Sequence, residues 1–129
     1  MSERPLAFVA PWRWWAGVLV IGAIACYFTM LAYAERLPGA FRLPYFDKCV
    51  HFATSGMLAF FLDGALRRRA LFVVSGFAVP LAAAVILVPA GIEEYLQRYA
   101  VARTSSVWDF AADVAGVVVL ITLSRRAAQ

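Results

Sequence analysis

Charge is scarce in this chain. Only 16% of its 129 residues are Asp, Glu, Lys or Arg, against roughly a quarter in soluble domains. Hydrophobic residues make up 64% and the mean hydropathy is +0.76. A water-soluble domain of this length could not hide so much apolar surface, which excludes the ordinary soluble classes and points to an integral membrane protein in one domain, residues 1–129. Cysteine is nearly absent. Cys26 and Cys49 make neither a disulfide framework nor a metal-type spacing. Histidine is limited to His51. A site that needs one histidine as nucleophile and another as base, as in type-2 phosphatidic acid phosphatases, cannot be built. No glycine-rich nucleotide loop is present, and Ser55-Gly56 lacks the flanks of a nucleophile elbow. The net charge of +4 does not mark a nucleic-acid binder, because the basic residues end apolar runs and form no stripe interleaved with aromatics.

What remains is long apolar runs. About 20 such residues cross the hydrocarbon core as a helix, and four runs approach that length: about 14–34, 47–66, 71–92 and 107–123. Trp12, Trp14 and Trp15 open the first like an interfacial aromatic belt, and Leu37-Pro38-Gly39 closes it. Arg4 and Arg13 before an apolar run resemble a signal peptide, but the run continues beyond Cys26 and reads as a span. In the second run, Asp63 and Arg67 are four apart and predict an i,i+4 ion pair. Pro80 and Pro89 lie in the third and predict kinks. The expected fold is therefore all-α, a polytopic four-transmembrane-helix bundle.

Four crossings place Arg4, Arg13, Arg67, Arg68, Arg69, Arg125 and Arg126 on one side, and Arg36, Arg42, Lys48, Arg98 and Arg103 on the other. The triple arginine occupies a tight loop, so the positive-inside rule predicts both termini in the cytoplasm. The conspicuous polar residues then gather at the extracytoplasmic boundary. Asp47 and His51 share a face of one helix, as do Asp109, Asp113 and Gly116 of another, and Glu94 and Gln97 are three apart. Gly116 allows a neighbouring helix to come close. Ser106 and Asp109 read as a helix start, with the acid suited to the helix dipole. Asp113 lies one turn deeper, where a carboxylate is costly unless paired, hydrated or protonated.

Asp47-Lys48-x-x-His51-Phe52, Glu94-x-x-Gln97, then Arg103, Ser106, Asp109 and Gly116, in that order, resemble the VanZ-like family of small bacterial membrane proteins over about residues 45–120. Where the family pattern usually carries an asparagine four residues after the acid of the last span, this chain has Asp113. The resemblance implies a four-span envelope protein related to teicoplanin resistance and supplies no reaction.

From the residues, two functions compete. In one, a pocket binds an anionic or glycosylated lipid head group through Lys48 and Arg103, with Gln97, Ser106 and Asp109 as further contacts. His51, oriented by Asp47, does acid–base chemistry, and Glu94 and Asp113 share the catalytic role. No cofactor is required, and the oxygen and imidazole groups would suit a divalent cation, though no tight ligand motif is present. In the other, the same residues are an interhelical network in a non-catalytic accessory subunit. Membrane lipids, an envelope glycolipid or another membrane protein are the expected partners, and nucleic acid is not. A proton or ion pathway is disfavoured, since the opposite halves of the spans offer only Asp63, Thr122 and Ser124.

Overall fold

The computed structural model describes residues 11–100 and 106–126. Helix α1 (Pro11–Tyr33) begins at a proline, whose fixed φ suits a first turn. It ends in a Schellman motif, with Glu35 left-handed at φ 56° and the Arg36 N–H donating to the Leu31 carbonyl. A short helical turn at Gly39–Arg42 leads to α2 (Phe46–Ala65). Strands β1 (Ala70–Val74) and β2 (Phe77–Pro80) follow, then α3 (Leu81–Leu96), a turn at Gln97–Tyr99, and α4 (Val107–Arg126).

The hairpin overturns the all-α expectation. Val74 pairs with Phe77 across the two-residue turn Ser75-Gly76, where φ is 49° and 81°. Positive φ at both central residues matches the right-handed twist of the strands, and Leu71-Phe72-Val73-Val74 supplies aromatic and β-branched strand formers. Pro80 therefore precedes α3 instead of kinking a span, and Pro89 alone stands inside that helix.

The four-span expectation fails with it. Among the described residues, two helices are long and apolar enough to cross a membrane, α1 and α4. The hairpin takes the residues expected to start the third crossing. That leaves α3 only 16 residues, about 24 Å against the ~30 Å of a hydrocarbon core. Helix α2 carries Asp47, Lys48 and Asp63. The two-termini orientation, which rested on four crossings, loses its basis. Arg4 also lies outside the described residues.

The helices alternate in direction. Trp14 of α1 packs against Phe60 and Phe61 near the end of α2, while Phe28 meets Phe41, which meets Phe46 at its start. Helix α3 runs against α4: its first turn supplies Ala82 to a buried cluster with Ala59, Leu62, Val117 and Ile121, while Gly91 near its other end faces Phe110.

Helices α2 and α4 run parallel and touch through backbone. A Cβ on Gly116 would fall 2.1 Å from the Phe52 carbonyl oxygen, and one on Gly56 would fall 2.8 Å from the Gly116 oxygen. No side chain larger than hydrogen fits either position, as expected of a small-residue helix contact. At the far end Asp63, fully buried, accepts from Arg125 through both oxygens at 2.9 and 3.1 Å. The expected Asp63–Arg67 pair is not formed. The helix ends at Ala65, and Arg67 turns left-handed at φ 53°, so the two residues no longer share a face.

Candidate functional site

The parallel α2–α4 contact sets two polar rows against each other, one turn and then two turns from the start of each helix. Lys48 donates to its neighbour Asp47 at 3.0 Å and across to Asp109 at 3.1 Å. His51 Nδ1 lies 3.1 and 3.2 Å from the two oxygens of Asp113. Ser55, one turn further along α2, donates to the same Asp113 carboxylate at 2.6 Å. The deep carboxylate that looked costly in the sequence is thus buried with the Ser55 hydroxyl and the His51 imidazole as hydrogen-bond partners.

All of these residues except Lys48 line a cavity of about 360 Å³. Asp47, His51, Ser55, Asp109 and Asp113 form one wall, with Glu93 and Ala90 contributed by α3. The lining from α1 and the following loop is mostly apolar, Ala25, Phe28 and Ala32 with Leu37 and Phe41, and includes one hydroxyl residue, Thr29. One side therefore offers acceptors, hydroxyls and an imidazole, and the other offers mainly rings and methyl groups with the Thr29 side chain among them, the mixture that characterises small-molecule sites.

Burial raises the Asp47 carboxyl, but the hydrogen bonds and charge of Lys48, with a contribution from His51, outweigh it and hold the group below its ordinary value. Lys48 moves the other way, raised by its hydrogen bonds to Asp47 and Asp109 against a smaller desolvation effect. Its positive charge is shared between two carboxylates of the protein.

Asp47, Lys48, His51, Asp109 and Asp113 of the sequence-based set thus meet in one place. The orienting carboxylate at His51 Nδ1 belongs to Asp113, whereas Asp47 bonds Lys48. Gln97 sits behind the cavity, 1% exposed, and donates to Glu93 at 3.1 Å, while its own carbonyl oxygen lacks a hydrogen-bond partner. Glu94 accepts from the Ser106 N–H and so ties the end of α3 to the start of α4. Asp109 offers its N–H to the Ser106 carbonyl at 2.9 Å and its carboxylate to Lys48, so the helix start and the cavity share this residue. Arg103 lies outside the described residues. Among the described residues, no group of three or more His, Cys, Asp and Glu side chains is arranged to hold a metal ion.

Sequence reasoning missed Ser55 and the role of Glu93. Both had a signal: Ser55 is four residues after His51, and Glu93 four before Gln97, so each shares a helix face with a residue already in the set. The apolar wall carried no such signal, because nothing in α1 distinguishes Phe28 from the aromatics that face outward. No family model, curated protein or solved structure matches this chain.

Proposed function

We propose that this chain is a VanZ-like protein of the bacterial inner membrane whose cavity receives the head group of a lipid or glycolipid, with His51 held by Asp113 as its acid–base group. The observation that carries the reading is the two-walled cavity. Its polar wall ends in a histidine–carboxylate–serine cluster, and its apolar wall suits the start of an acyl or prenyl chain.

Residence in a membrane is supported by the inverted distribution of side chains. Leu19 and Met30 of α1 are each 71% exposed, while Asp63 and Gln97 are among the most deeply buried large side chains. Apolar surface outside and ionic groups inside is the arrangement a lipid solvent favours. Arg67, Arg68, Arg69, Arg125 and Arg126 cluster at the end opposite the cavity. Under this reading, the larger basic group at that end supports a cavity facing the extracytoplasmic side.

The test uses purified protein with envelope lipid extracts. Turnover or saturable head-group binding is expected, with His51→Ala abolishing turnover while the protein stays folded. Full turnover in His51→Ala would sink the acid–base role.

A second reading has its own support: Lys48 already bridges two carboxylates, and Asp113 is already hydrogen-bonded to Ser55 and His51. Such a network would also serve a non-catalytic accessory subunit. Stoichiometric co-purification with a membrane partner, together with tolerance of His51→Ala and Asp113→Asn, would favour it.

A further inference from the structure

The β1–β2 hairpin has no covering layer. Leu71, Phe72, Val73 and Val74 are 50 to 64% exposed and Phe77 is 81% exposed. Successive residues of a strand point to opposite faces, so both faces of this ribbon are apolar and bare. Water is a poor solvent for such a ribbon, since an exposed apolar edge strand invites pairing with other chains. The hydrocarbon core is no better, because the outer edges of a two-stranded sheet carry unpaired N–H and C=O groups that lipid tails cannot satisfy. The head-group layer resolves both conflicts: acyl chains meet the side chains, and water and head groups meet the edges.

The segment before β1 supplies the matching charge. Arg67, Arg68 and Arg69 are all exposed, and none has an ion-pair partner among the described residues. Arg67 and Arg68 sit at φ 53° and 57°, the left-handed region that favours glycine, yet both positions carry long cationic side chains. Arg67 and Arg69 border a recess of about 200 Å³ with Ala65 and Leu66. The nearby Arg125 is committed to Asp63 and to the Arg68 carbonyl, which fixes the loop without adding free charge.

We propose that Arg67, Arg68, Arg69 and the hairpin form a second lipid-contact surface, in which the guanidiniums hold the phosphate of an anionic phospholipid and the hairpin side chains enter its acyl boundary. The occupant follows from charge complementarity: three unpaired guanidiniums beside bare apolar strands fit an anionic head group on an acyl chain. This surface is remote from the cavity, and it rests on the reading that the chain resides in a membrane.

The experiment uses the full chain with Cys26→Ser, Cys49→Ser and Phe77→Cys, labelled with bimane. The protein is reconstituted in vesicles of phosphatidylcholine alone or with added phosphatidylglycerol. Doxyl groups near the head group should quench the probe more than mid-chain ones. Doxyl-labelled phosphatidylglycerol should quench more than the equivalent phosphatidylcholine. Replacing Arg67 and Arg69 by Gln should remove that preference, at about fivefold per arginine. Carbonate-resistant flotation of each variant with the vesicles reports membrane residence separately. A variant set that floats while the probe stays unquenched, or is quenched equally by both lipids, overturns the proposal. So does disulfide capture of a second copy through unlabelled Phe77→Cys, which would assign the hairpin to self-association. Failure to float would sink the membrane reading itself.

Discussion

Gly116→Ala should damage the cavity without touching a single residue that lines it. The new methyl carbon would stand 2.1 Å from the Phe52 carbonyl oxygen, 2.9 Å from its carbon and 3.0 Å from its Cα. All three are backbone atoms, so no side chain can rotate away. Helices α2 and α4 must separate by more than 1 Å to restore ordinary contact at roughly 3.4 Å. The Lys48–Asp109 and His51–Asp113 contacts, each 3.1 Å long, are already at the outer half of the hydrogen-bond range and cannot follow. Overpacking costs about 1–3 kcal/mol, and two interhelical polar contacts add about 0.6 kcal/mol each where lipid is the solvent. A loss of about 3 kcal/mol is expected, a factor above one hundred in the folding equilibrium. Titration with SDS in mixed micelles would measure it. Gly39→Ala is the control, since nothing lies within 4 Å of its Cβ position. The His51 imidazole ¹⁵N shifts should move together with stability in Gly116→Ala alone. If both variants unfold at the same SDS fraction and the His51 shifts stay put, the backbone contact between α2 and α4 does not exist as described.

Two further expectations concern charge. Arg125→Ala leaves the fully buried Asp63 without its bidentate partner and should cost about 3–5 kcal/mol. Arg67→Gly, by contrast, relieves a left-handed backbone and should stabilise by about 1 kcal/mol; the same SDS titration would report both, and a loss in Arg67→Gly would restore the sequence-based Asp63–Arg67 pair. The Asp47–Lys48 pair should show two pH limits. Because the Asp47 carboxyl is lowered from 3.8 in the folded protein, its contribution is complete above that value and fades as pH falls through the depressed folded value. Because Lys48 is raised from 10.5, its contribution is complete below that value and fades as pH rises through the elevated one. The amplitude should be small, since both side chains are about a third exposed. Asp47→Asn should flatten the acid limb, and an unchanged acid limb in that variant would remove Asp47 from the account.

Much of the site was legible along the chain. Asp47, Lys48, His51, Asp109 and Asp113 stand out as polar residues at helix starts, and Gly116 as a close-contact position. The third crossing was misread because a run of β-branched and aromatic residues is equally apolar as helix or strand. The two-residue turn Ser75-Gly76, where the chain adopts positive φ twice, settles it as a hairpin. The Asp63–Arg67 pair was misread for a related reason: an i,i+4 pairing assumes an unbroken helix, and this one ends at Ala65.

The sequence by itself determined that this chain is apolar, mostly helical and polar only at a few helix ends, because hydropathy and periodicity are sums over neighbouring residues. It also determined which acids, cations and imidazole were available to a site. Only the tertiary structure decided their partners. Asp113 rather than Asp47 meets His51 Nδ1, Ser55 joins them, and Arg125 takes Asp63, with both ion pairs closing over 62 residues. That choice depends on the parallel register of α2 on α4, fixed where Gly56 and Gly116 let two backbones touch. No local pattern encodes a contact between helices so far apart in the chain.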